Sequence, residues 1–277
     1  MKNNILEIKN LKVFPNLNSK LKLVKNISLS LKKGKTTCIV GESGSGKSLT
    51  ALSVMQLLSS QLSMSGSIFF EGINLLNLSN EEVRRRRGKD IAMIFQEPMT
   101  SLNPVLTIGY QIQEAISVHN NLNKVELNSH VLDLLKTVGI PADRVNSYPD
   151  ELSGGQRQRV MIAMAISCSP KLLIADEPTT ALDVTVQAQI LNLLNDLKLK
   201  FEMTMLFITH DFGVVEDIAD DVAVMFQGEI VEQGSVVKVL KNPQHPYTRA
   251  LLDCVPDAHG RKDLKPIDYV ALKELMG

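Results

Sequence analysis

One short segment, residues 41–48, restricts this chain to few folds. Its sequence, GESGSGKS, fits the spacing GxxxxGK[ST] and lies between an apolar run at 36–40 and a helical pattern at 47–58. Its glycines permit a tight wrap, and backbone N–H groups at a helix start attract anions. A strand, this loop and a helix in that order predict a phosphate-binding loop. Lys47 would reach the phosphates, and Ser48 would ligate Mg²⁺.

Two acidic residues, Asp176 and Glu177, directly follow the apolar run 172–175. In parallel sheets, the carboxyl ends of the strands form the edge at which phosphate groups bind. A carboxylate at that edge can hold Mg²⁺ directly or through water, and a second one can polarise an attacking water. Together with the phosphate-binding loop, the pair predicts Asp176 as the metal-side acid and Glu177 as the general base.

The segment 152–158, LSGGQRQ, is the most specific motif in the chain. Two glycines precede a helical pattern at 156–166, and Ser153 is placed as the N-cap of that helix. This pattern predicts a second helix start able to bind an anion. One ATP has a single γ-phosphate, which the first loop already holds. The second anion site therefore suggests use in trans, in a dimer that encloses nucleotide.

The order of hydrophobic patterns predicts the fold class. Apolar and polar residues alternate through the first 35 positions, which is typical of antiparallel strands. Strand–helix alternation follows on both sides of a stretch, 105–148, that has helical periodicity alone. We therefore expect an α/β fold with a parallel-sheet core, an antiparallel β-subdomain and a helical subdomain at about 97–158. The expected domains are 1–240 and a C-terminal extension, 241–277, with a helix at 270–276.

Charge and composition argue against several classes of protein. The 277 residues carry 30 Lys+Arg against 30 Asp+Glu, so no basic field indicates a nucleic-acid partner. No apolar run reaches the roughly 18–20 residues of a membrane-spanning helix, and no apolar leader is recognisable. Three widely separated cysteines argue against a disulfide framework or a zinc site. We expect a soluble globular protein of the cytosol.

With these motifs the chain resembles the ATP-binding subunit of ABC transporters over about residues 5–255. The resemblance implies the P-loop NTPase (ABC ATPase) fold, with ATP and Mg²⁺ as cofactors. It implies that Gln96 senses Mg²⁺ and links to the membrane subunit. It also implies that Asp183 lies in the D-loop crossing a dimer interface and that His210 is the switch histidine at the γ-phosphate. Phe14 either stacks on adenine or is a core residue.

The expected site residues form four groups. The ATP-binding group is Phe14, Gly41, Glu42, Ser43, Gly44, Ser45, Gly46, Lys47, Ser48 and Leu49. The catalytic group is Glu177, His210 and Gln96, and the metal-binding group is Ser48, Gln96 and Asp176. The group acting in trans is Ser153, Gly154, Gly155 and Gln156, with Asp183 at the dimer interface.

Three further segments resemble the branch of ABC importers for oligopeptides, dipeptides and nickel. They are QEPMTSLNP at 96–104, DEPTTALDV at 176–184 and HPYTRAL at 245–251. The resemblance implies ATP-driven uptake of di- or oligopeptides. Many peptide importers continue into a cysteine-rich region that binds an iron–sulfur cluster, whereas this chain has only Cys254 there, so we expect no cluster. The short tail leaves nickel or a metal chelate open as the substrate.

A soluble, non-transport ABC ATPase of DNA repair or translation is the remaining alternative. Such proteins tend to have two fused cassettes or a long coiled-coil insert, whereas only about 105 residues separate Lys47 from Ser153 here, without sustained heptads. As partners, the resemblance implies two membrane-spanning permease subunits, a second and different ATPase subunit, and indirectly an extracytoplasmic substrate-binding protein, with no nucleic acid. The implied location is peripheral, on the cytoplasmic face of the inner cell membrane.

Overall fold

The computed structural model describes residues 3–96, 101–180 and 182–254. These residues form two compact units. The first unit contains the described residues up to Asn77 and from Leu206 onward, and the second contains Leu78–Met205. The predicted domains, 1–240 and 241–277, follow a different division and stay predictions. Within the described ranges, no helix is long and apolar enough to cross a membrane.

Strands and helices alternate along most of the chain. The first stretch contains β1 (Asn4–Pro15), β2 (Val24–Lys32), β3 (Thr36–Val40), α1 (Lys47–Met55), β4 (Leu62–Phe70) and β5 (Ile73–Asn74). The middle contains α2 (Asn80–Arg86), β6 (Ile91–Ile94), α3 (Ile108–Ser117), α4 (Lys124–Thr137), α5 (Gly154–Ile166), β7 (Leu172–Asp176) and α6 (Val184–Lys200). The last stretch contains β8 (Thr204–Thr209), α7 (Phe212–Ile218), β9 (Asp221–Phe226), β10 (Glu229–Ser235), α8 (Val236–Lys241) and α9 (Pro246–Asp253).

The first unit contains the antiparallel sheet expected from the alternation at the start of the chain. Its strand order is β2-β1-β4-β5, and β1 pairs antiparallel with both β2 and β4. A register shift follows Ile8, where Asn10 has φ +52°. Because the bulge adds one residue to the strand, Leu11 and Val13 stay buried like Leu6 and Ile8 instead of turning outward.

The first unit also holds strands of a second sheet, in the order β10-β9-β3-β8. All five residues of β3 are buried, and β3 pairs parallel with β9, which forms an antiparallel hairpin with β10. A strand buried on both faces carries no charged side chains on either face, which is why β3, with two threonines followed by Cys38, Ile39 and Val40, lacks polar–apolar alternation. The strand predicted at 36–40 therefore has the predicted bounds, and the phosphate-binding segment follows it directly.

The second unit combines two parallel strands with a group of helices. β6 pairs parallel with β7, from Ile91 opposite Leu172 to Ile94 opposite Ala175. Helix α3 packs against α4 and α5, which places helices where helical periodicity predicted them. One predicted helix boundary is wrong, and one predicted helix cannot be compared. The helix predicted from 156 begins at Gly154, and the helix predicted at 270–276 lies outside the described residues.

Candidate active site

The loop between β3 and α1 is shaped by close contacts with its own unit. Gly46, the residue before α1, has φ +106°, a conformation that side-chain-bearing residues rarely adopt. A Cβ at this position would lie 2.8 Å from the Met225 methyl carbon and 3.2 Å from the Leu23 carbonyl oxygen. Glycine is therefore required where the loop turns into the helix.

Two buried polar groups of this loop fit a phosphate ligand. The Lys47 side chain is only 4% exposed, and its Nζ donates to the carbonyl oxygens of Gly41, at 2.8 Å, and Glu42, at 2.9 Å. The Ser45 hydroxyl oxygen is buried and has no hydrogen-bond partner within the described part of the chain. An unmade hydrogen bond on a buried group is costly, and phosphate oxygens would accept from both side chains.

The other predicted ATP-binding residues surround this loop or lie on β1. Ser43 and Gly44 are exposed, whereas Ser48 and Leu49 are half-buried at the start of α1. Phe14 is half-buried on β1, and the Lys22 ammonium lies 3.9 Å from the centroid of its ring. Such a cation–π contact covers one face of the ring. Stacking of Phe14 on adenine stays a prediction.

The second unit places two of the predicted catalytic residues in contact. Glu177 follows β7 with φ +46°, in the left-handed region that is rare for residues other than glycine. Its Oε2 accepts hydrogen bonds from Gln96 Nε2, at 3.2 Å, and from Thr180 Oγ1, at 3.0 Å. Asp176, the last residue of β7, is only 4% exposed. Two hydrogen bonds to a single oxygen therefore orient the Glu177 carboxylate.

The start of α5 has the capped geometry that the LSGGQ segment predicted. The Ser153 side chain accepts from the backbone N–H of Gln156 at 3.3 Å, and the Gln156 side chain accepts from the backbone N–H of Ser153 at 3.0 Å. Gly154 is exposed, and a Cβ on Gly155 would lie 2.6 Å from Cγ1 of Val186. The helix start is thus rigid and accessible, as an anion-binding helix end requires.

Asp183 and His210 occupy connections that begin helices. The Asp183 carboxylate accepts from the backbone N–H of Val186 at 2.9 Å and caps α6. His210 is exposed after β8, and the next residue, Asp211, caps α7. Both side chains therefore lie at the surface, where a ligand or second subunit can reach them, and their predicted roles remain predictions.

The ABC transporter family model matches residues 24–180, more than half of the 277 residues. The chain belongs to the ABC transporter family. A second model, the C-terminal region of oligopeptide/dipeptide transporters, matches residues 231–271. The predicted family and branch are thereby confirmed, and this ABC protein is an ATP-hydrolysing transporter subunit.

Three relatives have similar sequences along most of this chain. The probable peptide ABC transporter ATP-binding protein y4tR of Sinorhizobium fredii is 53% identical, with 87% of this chain and 73% of the relative covered. The oligopeptide transport ATP-binding protein OppD of Bacillus subtilis is 48% identical, with 95% and 75% covered. The glutathione import ATP-binding protein GsiA of Escherichia coli is 51% identical over 94% of this chain, which spans 44% of GsiA.

Solved structures confirm the predicted ABC ATPase fold. The ATP-binding cassette MJ0796, in a dimeric post-hydrolysis state bound to ADP and Pi, has a TM-score of 0.74 at 27% identity and covers 83% of this chain and 98% of its own. The cbiO1 protein of Clostridium perfringens has a TM-score of 0.76 at 28% identity and covers 87% and 92%.

Two residues that contact the candidate site, Thr180 and Tyr247, are not among the predicted site residues. Thr180 donates to Glu177, and Tyr247, in α9, contacts Glu42 of the phosphate-binding loop. Thr180 lies in the DEPTTALDV segment, so its hydroxyl three residues after the expected base was an available signal. Tyr247 lies in the HPYT segment, but nothing in the sequence spacing indicates a contact with a residue 205 positions away.

Proposed function

We propose that this ABC ATPase powers the uptake of di- or oligopeptides across a membrane. The observation that supports hydrolysis most directly is the Glu177 carboxylate, which is fixed by Gln96 and Thr180. Support for peptides comes from the match of residues 231–271 to the oligopeptide/dipeptide transporter region and from relatives named for peptide and glutathione transport.

In this proposal the loop 41–48 binds the phosphates of ATP. Lys47 exchanges the carbonyl oxygens of Gly41 and Glu42 for phosphate oxygens, and Ser45 gains an acceptor for its buried hydroxyl. Ser48, Gln96 and Asp176 offer hydroxyl, amide and carboxylate oxygens, the ligands that Mg²⁺ prefers. Bound Mg²⁺ would supply positive charge that stabilises the phosphates during hydrolysis.

Glu177 acts as the general base of the proposed reaction. Its carboxylate accepts the proton of the attacking water, and the bonds from Gln96 and Thr180 hold it in one orientation while it does so. His210 contacts the γ-phosphate from the connection after β8. Phe14 stacks on the adenine ring.

The exposed start of α5 points to a second subunit in the proposed assembly. Residues 153–156 of one ATPase subunit bind the nucleotide held by residues 41–48 of the other, and Asp183 lies at their interface. The second subunit is a different chain. The ATPase subunits lie on the cytoplasmic face of the inner membrane, where they contact two membrane-spanning permease subunits, and an extracytoplasmic binding protein delivers the substrate.

The experiment that tests this function is uptake by cells that carry wild-type protein or Glu177→Gln. A labelled tripeptide and labelled nickel are compared, and Glu216→Gln, an exposed change on α7, serves as the control. We expect Glu177→Gln alone to abolish tripeptide uptake. Loss of nickel uptake with unchanged tripeptide uptake would instead assign the protein to metal acquisition, and no change in either would contradict both substrates.

A further inference from the structure

One side chain of the HPYT segment, Tyr247, contacts the phosphate-binding loop. Tyr247 is fully buried in α9, and its ring centroid lies 4.1 Å from that of Phe226, the last residue of β9. Its hydroxyl donates to Glu42 Oε2 at 3.2 Å and accepts from the backbone N–H of Glu42 at 3.3 Å. One hydroxyl thus holds both the side chain and the backbone of a loop residue.

The position of Tyr247 is itself fixed by neighbouring polar groups. The Glu232 carboxylate on β10 accepts from the backbone N–H groups of Gln244, at 2.8 Å, and His245, at 3.0 Å. His245 Nδ1 then accepts from the backbone N–H of Tyr247 at 3.2 Å and caps α9. These contacts all lie within the segment 231–271 that matches the oligopeptide/dipeptide transporter region.

Glu42 contacts two other residues of the phosphate-binding loop. Its carbonyl oxygen accepts from Lys47 Nζ and from the backbone N–H of Ser45, so a shift of Glu42 would move both. Glu42 also brings a negative charge to a loop that has to bind phosphates. Like charges repel, so the direction of this carboxylate affects the affinity for nucleotide.

We infer that Tyr247 is a positioning residue for nucleotide binding, which acts through Glu42. The inference rests on the proposed function, in which residues 41–48 bind the phosphates of ATP. The hydroxyl of Tyr247 anchors the Glu42 carboxylate and the Glu42 backbone N–H, and so fixes the direction of a negative charge in the loop that binds phosphates. The segment 231–271, which matches the oligopeptide/dipeptide transporter region, thereby helps to position the loop that binds ATP.

The test uses Tyr247→Phe, which keeps the ring against Phe226 and removes only the hydroxyl. In the assembled transporter, we expect KM for ATP to rise about fivefold, with kcat unchanged within about twofold, because the two lost hydrogen bonds act on the nucleotide only through Glu42. Tyr110→Phe, on an exposed tyrosine of α3, is the matched control and leaves KM at the wild-type value.

A second change separates positioning from a general loss of packing. Glu42→Gln removes the charge that Tyr247 restrains, so Tyr247→Phe should raise KM less in a Glu42→Gln background than in the wild-type background. The bond from the backbone N–H of Glu42 is lost in both backgrounds. If Tyr247→Phe acts only through a packing defect, it will raise KM equally in both backgrounds and lower the melting temperature in both. That result would overturn the inference. The melting temperatures of all four proteins are measured in parallel.

Lys47→Ala distinguishes failure of the inference from failure of the proposed function. If Lys47→Ala abolishes ATP binding while Tyr247→Phe keeps the wild-type KM, Tyr247 has no positioning role but the loop binds nucleotide. If Lys47→Ala binds ATP like the wild type, the loop is not the nucleotide site, and both proposals fail.

Discussion

At the scale of single residues, Glu177 has the most unusual conformation in the candidate site. Its φ of +46° costs free energy for a residue with a Cβ, of the order of 1 kcal/mol. This backbone conformation places the carboxylate where Gln96 and Thr180 both donate to its Oε2. A general base needs a fixed direction toward its proton, and these three features supply one.

Removal of the Thr180 hydroxyl tests that orientation. Thr180→Val preserves the shape of the side chain but deletes the 3.0 Å hydrogen bond to Glu177. We expect kcat for ATP hydrolysis to fall about tenfold with KM for ATP unchanged, because the lost bond orients the base rather than the nucleotide. Steady-state kinetics of the assembled transporter measure both constants. Thr137→Val loses a surface hydrogen bond with Lys200 instead and should keep the wild-type kcat.

The two glycines at the start of α5 are expected to respond differently to alanine. A Cβ on Gly155 would lie 2.6 Å from Cγ1 of Val186, whereas a Cβ on Gly154 would lie 3.6 Å from the nearest side chain, that of Leu182. We expect Gly155→Ala to lower the free energy of unfolding by about 1–3 kcal/mol and Gly154→Ala to change it by less than about 0.5 kcal/mol. Urea denaturation measures both. Equal losses would show that the contact with Val186 is not restrictive.

At the scale of secondary-structure elements, the carboxylate of Glu232 holds the backbone at the start of α9. Burial tends to raise the pKa of Glu232, but the nearby Thr248 hydroxyl, hydrogen bonds from the backbone N–H groups of Gln244 and His245, and the charge of His245 outweigh it and lower the pKa below its usual value. A lowered pKa means that the ionised form of Glu232 is more stable in the folded state than in the unfolded state. The stabilisation is therefore complete above the unfolded-state pKa of about 4.5 and is lost as the pH falls through the lower folded-state pKa.

Glu232→Gln tests this dependence. In the wild type, Oε1 and Oε2 each accept one backbone N–H, and the amide replaces one of these oxygens with a donor. We expect the variant to lose about 1–2 kcal/mol of the free energy of unfolding at pH 7. The difference from the wild type should shrink as the pH is lowered below about 4.5. Denaturation at several pH values measures it, and a difference independent of pH would contradict the role of ionised Glu232.

Elements with strong local signals could be predicted from the sequence, as β3 and α5 show. β3 is a short run of β-branched and apolar residues before a glycine, and the N-cap of α5 is a serine followed three residues later by a glutamine, the pattern of a capping box. Helix α9 was not among the elements predicted from the sequence, because Pro243 and Pro246 interrupt the helical pattern after Lys241. Pro246 is instead the first residue of the helix, where its missing N–H costs nothing.

The contacts that complete the site could not be predicted from the sequence. The spacing of motifs identified Glu177 and Gln96, but not the hydrogen bond between them, which joins residues 81 positions apart. The contact of Tyr247 with Glu42 spans 205 positions. Such pairs depend on how strands are ordered in the fold, which local periodicity does not specify.

At the scale of the whole molecule, the protein is the subunit that couples ATP to transport. Binding of ATP favours one state of the transporter, and its hydrolysis removes that preference. The difference in binding free energy between ATP and ADP is what can drive the permease subunits between two states. Coupling therefore requires ATP hydrolysis, and Glu177 is the residue proposed to carry out the proton transfer of that step.

The most direct measurement is the nucleotide retained by the purified transporter assembled with Glu177→Gln and supplied with ATP and Mg²⁺. We predict that this complex holds ATP rather than ADP, with turnover below about 1% of the wild-type rate, because the base that activates water is missing. The Glu216→Gln complex should hydrolyse ATP like the wild type. Hydrolysis by Glu177→Gln at the wild-type rate, with ADP released, would contradict the account.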